Sequence, residues 1–161
     1  MTTAQIIDRH LLGAVVKSAV ESPRLRKNYN FHPTDSDASH RLLNAMEQDS
    51  YIQPHCHADA SKDETIIVLQ GKLAVVFFDP DGTVSSHAVL EQGGNAVGVN
   101  IPHGVFHTLL ALMPGTVFFE SKAGPYAALT SLEKANWAPP ENDSQANRYH
   151  AELKRLFQDQ Q

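Results

Sequence analysis

Apolar side chains recur at helical spacing near the start of the chain. Over residues 3–22, Ile6, Ile7, Leu11, Leu12, Val15, Val16, Ala19 and Val20 form one stripe, and Asp8, Arg9, Lys17 and Glu21 fill the other face. Pro23 predicts the stop. Arg24 to His32 is a polar stretch studded with aromatics and reads as a connector. From about Arg41 the period changes. Short apolar runs cover 41–46, 51–57, 65–69, 73–78, 84–90, 96–101, 105–112 and 116–121. Turn chemistry divides them, as in the Asp-Pro-Asp-Gly segment from Asp79 to Gly82. There proline presets its φ and glycine tolerates a positive one. Many short strands with no helical pattern between them predict an all-β sandwich or barrel, not βαβ units. After Tyr126 the strand pattern fades. Residues 129–137 read as a short helix or an irregular cover, and Pro139 to Asp143 as a linker. Residues 144–158 read as a second amphipathic helix, with Tyr149, Leu153, Leu156 and Phe157 on one stripe. The expected architecture is a β core with a helix at each end.

Length and charge narrow the function classes. A chain of 161 residues fits one domain, divided into an N-terminal helix and connector (1–32), a β-barrel (33–126) and a C-terminal cover and helix (127–161). The formal net charge of −5 argues against a general nucleic-acid binder, which needs positive charge to displace counterions from phosphates. It argues equally against docking on an anionic membrane. Cys56 is the one cysteine, so no intramolecular disulfide forms, and a reducing compartment is compatible with that. No apolar run is long enough to cross a bilayer, and the N-terminus lacks a signal-peptide pattern, so the expectation is a cytoplasmic protein.

Three of the nine histidines fall in an informative arrangement. His55 and His57 are two apart, and on a β-strand residues i and i+2 share a face. Two imidazoles on one inward face can meet one metal ion, and imidazole suits zinc, nickel, copper and iron. Glu64 opens an apolar run, and Gly71 closes it after six residues. Much later, Pro102 and Gly104 make a tight turn into a strand in which Val105, His107 and Leu109 share a face. His107 therefore points inward if its apolar neighbours do.

These segments resemble the two motifs of the cupin superfamily. The first is His-x-His, a short gap, Glu, six residues and Gly, matched by His55, His57, Glu64 and Gly71. The second is Pro-x-Gly-x-x-His, matched by Pro102, Gly104 and His107. The resemblance implies a cupin-type double-stranded β-helix (jelly-roll) barrel. In it His55, His57, Glu64 and His107 hold one divalent transition metal ion (zinc, nickel, iron or manganese), with positions left for water or substrate. The gap between His57 and Glu64 is six residues where the family has three or four, and Asp59 and Asp63 in that longer loop are rival ligands. Asp49 and Ala96 stand where glycines usually open the motifs.

A closer resemblance runs from about Ser22 to Glu141. It is carried by Ser22 to His32, Arg41 to Ala45, Ser50 to His57, Gly124 to Tyr126 and Trp137 to Glu141. These look like the WbuC family of bacterial cupin-fold metalloproteins, found in surface-polysaccharide gene neighbourhoods. Cys56 stands where that family often has arginine.

Candidate ligand contacts lie around the motifs. Gln53 shares its strand face with the histidines and either donates to a substrate oxygen or caps the core. Arg26, in the polar segment after the first helix, is suited to hold an anionic group bidentately. Tyr126 and Lys122 follow the last long strand and could reach the rim. Arg41 and Asn44 lie on opposite faces of one strand, so one at most faces the pocket. Cys56 alternates with the histidines and should face the wall. His10, His40, His87 and His150 lack a partner pattern and are expected at the surface, while His103, in the turn before His107, either lines the pocket mouth or, as is expected, faces solvent. Two functions fit. One is a metal-dependent enzyme (isomerase or epimerase, lyase, or dioxygenase) acting on a small polar molecule such as a sugar, sugar nucleotide or keto acid, linked to surface-polysaccharide metabolism. The other is a non-catalytic, metal-dependent binding or sensor module. A homodimer is expected, with the apolar stripe of the first helix as a surface for the partner.

Overall fold

The structure is a computed structural model and describes residues 3–160. Helix α1 (Arg9–Val20) is followed by strands β1 (Arg26–Asn30), β2 (Ser39–Met46), β3 (Glu64–Gln70), β4 (Lys72–Phe78), β5 (Val84–Glu91), β6 (Gly98–Ile101), β7 (Phe106–Ala111) and β8 (Thr116–Ala123). Helix α2 (Ala146–Lys154) and a 3-10 helix (Arg155–Gln160) end the described chain. All pairings are antiparallel and make two sheets, ordered β1-β2-β8-β3-β6 and β5-β4-β7. This is the cupin-type jelly-roll core with flanking helices that the motifs imply.

Strand alternation sorts the side chains into three apolar clusters. Met46, Ile66, Val68, Leu73, Val75, Leu109 and Phe118 fill the space between the sheets. Their sequence neighbours Leu43, Ala45 and Val117 point the other way and meet Leu12, Val15 and Ala19 of α1. Ala74, Val76, Phe78 and Leu110 cover the outside of the smaller sheet and meet Leu153 and Phe157. An isolated helix of α1's length is marginal in water, so packing decides its existence. Each buried aliphatic side chain there contributes about 1–3 kcal/mol. The middle of the apolar stripe expected to face a partner, Leu12, Val15 and Ala19, is thus used within the chain against the five-stranded sheet, while Val20 stays exposed. Helix α1 starts later than the pattern suggests because the Asp8 carboxylate accepts from the Leu11 N–H and caps it, leaving Ile6 and Ile7 exposed in irregular chain.

Two further expectations are corrected. Residues 26–30 are not a connector but the edge strand β1, whose polar sequence Arg-Lys-Asn-Tyr-Asn hides it from a hydrophobicity pattern. Residues 51–57 are not a regular strand. Only His55 bridges, to His107 on one side and Lys134 on the other. That short strap is still firmly tied. His55 and His107 exchange both backbone hydrogen bonds (3.0 and 2.9 Å), Cys56 N–H donates to the Glu133 carbonyl, and Ala135 N–H to the Pro54 carbonyl. It fills the gap between β7 and the irregular cover formed by residues 129–138. No helix among the described residues is long and apolar enough to cross a membrane.

Candidate metal centre

His107 enters from β7, Glu64 from β3, and His55 and His57 from the strap paired with β7. The same alternation that buries Leu109 and Ile66 turns His107 and Glu64 inward. The imidazole centroids lie 4.7 Å apart for His55 and His107, 5.5 Å for His55 and His57, and 6.3 Å for His57 and His107. His57 Nε2 sits 3.0 Å from Glu64 Oε2, and His107 Nε2 4.0 Å from Glu64 Oε1. The four side chains expected as ligands therefore converge.

The donor set suits a divalent ion on an observation at the nitrogen atoms. His55 Nδ1 lies 3.1 Å from the Gln53 carbonyl and His107 Nδ1 2.9 Å from the Val105 carbonyl. A carbonyl only accepts, so each Nδ1 carries the proton and each Nε2 presents a lone pair. That is how metal-bound histidines are usually oriented. His107 Nε2 is moreover buried with no hydrogen-bond partner, a costly state that calls for an explanation. Burial, then the neighbouring His107, pushes His55 down to about 3, and burial also lowers His107. Both imidazoles are therefore neutral near pH 7, with an Nε2 lone pair free for a cation. As placed, Glu64 lies against His57 directly, and among the described residues no group of three or more His, Cys, Asp or Glu is drawn together tightly enough to hold a metal ion.

A buried charge chain adjoins these ligands. Lys122 Nζ lies 2.7 Å from Glu120 Oε1 and 3.5 Å from Glu64 Oε2, and Asn44 Nδ2 donates to Glu120 Oε2 at 2.7 Å. Register explains it, because Glu64 pairs with Lys122 across β3 and β8. Burial alone would raise the Glu64 carboxyl. The His57 hydrogen bond and the Lys122 charge outweigh it and hold Glu64 well below the usual carboxylate range. Burial, with Glu64's charge nearby, raises Glu120. Burial works against the Lys122 ammonium, but Glu120 and Glu64 together hold it above its ordinary value. Asn44, Glu120 and Lys122 line a cavity of about 180 Å³ together with His55, Glu64 and His107. They also line a larger cleft of about 450 Å³ on the β1 side.

Gln53 turns its amide to the cover, donating to the carbonyls of Ala135 (2.9 Å) and Ala138 (3.3 Å). Arg26 lines the inner cavity but is already bound, to the Tyr51 carbonyl at 2.9 Å and to Glu141 at 2.5 Å. Tyr126 stands at the rim of the larger cleft, 62% exposed. Asp59 holds Ser61 and Asp63 holds His103, both outside the cavity, which leaves Glu64 as the carboxylate among the imidazoles. Cys56 faces the cover as expected, and burial raises its thiol. His10, His87 and His103 are exposed, but His40 and His150 are buried, contrary to expectation. His40 stacks on His32 at 4.0 Å, because both side chains sit under the segment that carries Asp35. The sequence reading missed Glu120 altogether and set Lys122 at the rim. The signal was present as the alternation of Phe118, Glu120 and Lys122 with Val117 and Phe119.

A family model described as a domain of unknown function (DUF6016) matches residues 7–90. No curated protein matches the chain. Among solved structures, KdgF from Halomonas sp. superposes with a TM-score of 0.51 at 17% identity, over 66% of this chain and 84% of that one. A conserved protein of unknown function from Streptococcus pyogenes, SPY1581, gives 0.52 at 11% identity, over 79% and 93%. A cupin-2 domain protein from Shewanella frigidimarina gives 0.46 at 22% identity, over 61% and 80%. At such identities the likeness to the first two is one of fold.

Proposed function

This chain belongs to the family described as a domain of unknown function, DUF6016, and we propose that it is a metal-dependent enzyme on a cupin-type barrel, acting on a small polar molecule. His55, His57 and His107 hold a divalent transition metal ion, with Glu64 as the fourth ligand. The observation that carries this reading is the pair of imidazoles with Nδ1 fixed on a backbone carbonyl, one of which, His107, has a buried and unpartnered Nε2. The ion supplies Lewis acidity, polarising a carbonyl or hydroxyl oxygen. The chain supplies the rest. The strap and β7 fix the imidazoles. The Glu120 carboxyl, raised by burial, is the proton-holding group in the same cavity, and the Lys122 ammonium, held charged by Glu120 and Glu64, positions it. That pair favours an enzyme over a passive binding module. The sequence resemblance to WbuC-type proteins adds a place in surface-polysaccharide metabolism to this reading.

The test is elemental analysis of protein isolated from its own host without nickel resin. About one equivalent of a single transition ion is expected, lost in His107→Ala while the circular dichroism spectrum is kept. Retention of the full metal content by a folded His107→Ala protein would overturn the assignment.

A further inference from the structure

The larger cleft adjoins the inner cavity through Asn44, Glu120 and Lys122. It exists because the first sheet has five strands and the second only three. The concave face continues onto β1, where the residues from Lys27 to Asn30 are exposed. Asn28 pairs with Asn44 across β1 and β2, and both side chains line the cleft with Asn30.

The hydrogen-bonding capacity left over in this cleft is specific. Asn28 Nδ2 donates to Asn30 Oδ1 at 2.6 Å, leaving the Asn28 carbonyl oxygen and the Asn30 amide hydrogens for something else. Asn44 donates to Glu120, leaving its own carbonyl oxygen. Acceptors and a donor thus stand side by side on one face, a pattern that matches hydroxyl groups, which both donate and accept. The charges point the same way. Two cationic side chains line the cleft, Arg24 and Lys122, and two carboxylates, Asp35 and Glu120. Lys122 is already shared between Glu120 and Glu64, so its charge is compensated twice. An anion on the cleft floor would meet the Glu120 carboxylate, and the ammonium beside it is already paired with Glu120 and Glu64. Arg24 is exposed at the outer end, where water screens it. The aromatic ring of Tyr126 offers an exposed face at the rim.

We infer that the cleft between β1, β2 and β8 is a binding subsite for an uncharged, hydroxyl-rich ligand group, of the chemistry of a pyranose ring, next to the histidine centre. This rests on the reading that the centre acts on a small polar molecule, and it selects a neutral polyol moiety over a nucleotide or a keto acid as the part that the chain grips. Asn28, Asn30 and Asn44 pair with its hydroxyls, and Glu120 accepts from the one nearest the centre.

Side-chain amide signals in nitrogen-15 spectra test it directly. The probes are the methyl glycosides of glucose, galactose and mannose, with glucuronate, galactose 1-phosphate and pyruvate as charged counterparts. At least one neutral glycoside is expected to shift the Asn28, Asn30 and Asn44 amide signals with millimolar affinity and to bind more tightly than its charged counterpart. Asn28→Ala, an exposed position, is expected to weaken that binding several-fold without changing the melting temperature. Three outcomes would overturn the inference: tighter binding of the anions, no amide shift with any neutral glycoside, or equal glycoside affinity in Asn28→Ala. The visible spectrum of cobalt-loaded protein reads the histidine centre separately. A missing cobalt spectrum with intact glycoside shifts sinks the metal reading alone, and the reverse sinks the subsite alone.

Discussion

Lys122 touches two carboxylates, and its effect on a neighbouring dication follows from Coulomb's law. Its ammonium lies 3.5 Å from Glu64, so it competes with a metal ion for that ligand. Glu120 lies closer, at 2.7 Å, and draws the ammonium away. The two residues should therefore have opposite effects. Lys122→Met is expected to tighten zinc or cobalt binding on the order of tenfold, equivalent to ~1.4 kcal/mol, and Glu120→Gln to weaken it by a similar factor. Competition titration against a chelator measures both, and shifts of the same sign in the two variants would show that the charge argument fails. The histidine and glutamate positions were legible in the sequence because period-2 alternation and fixed spacing leave traces in a single chain. Glu120 was not. Its function depends on register, Leu42 to Glu120 to Ile66 across three strands, and register is a property of pairs of strands, not of one segment. Gln53 shows the converse: its place in the sequence is compatible with a substrate contact or a core cap, and the amide is engaged by cover carbonyls that only the folded chain brings near.

Helices and strands were readable in proportion to how apolar one face is. The strands β2 to β8 and both helices were legible, while β1 was not, since nothing in Arg-Lys-Asn-Tyr-Asn alternates in hydrophobicity. It forms because its backbone completes the edge of β2 and because α1 packs beside it. His150 was misjudged for a related reason. The pattern of α2 places its stripe on Leu153 and Phe157, yet His150 is buried too, beside the Tyr51 ring, with Nε2 unpartnered. Burial, and then Lys154, lower its pKa from 6.5 to about 4, with Asp49 opposing. The folded state thus resists protonation that the unfolded chain accepts. The stability this position contributes is full above about pH 6.5 and falls as pH drops towards about 4. His150→Leu removes an unpartnered buried nitrogen and a titrating group together. It should melt at least as high as the parent at pH 7 and lose about 1–2 kcal/mol less between pH 7 and pH 4. Urea titrations at the two pH values give the difference, and parallel acid losses in parent and variant would exclude His150 as a source.

At the scale of the whole molecule, the two ends of the chain meet at the mouth of the barrel. Arg26, just after α1, reaches Glu141, just before α2, while the intervening barrel supplies the cavity that the guanidinium lines. This contact decides what the inner cavity can bind. A guanidinium free of Glu141 would be a strong anion site, bidentate for phosphate or carboxylate. Paired, it is a neutral wall. Glu141→Gln should therefore raise the affinity for inorganic phosphate over that of the parent, on the order of tenfold at low salt and less as ionic strength rises. The cover should not come loose in this variant, since Tyr51 Oη still donates to the Pro139 carbonyl and Gln53 to that of Ala135. Trp137, the single tryptophan, packs between Phe78 and Phe106, so its fluorescence reports the docking of that segment. Unchanged emission with raised phosphate affinity is the expected result. Unchanged emission with unchanged affinity would mean that Glu141 does not control the charge of the cavity, and a red-shifted emission would mean that the ion pair acts instead as a clasp between the two ends of the chain.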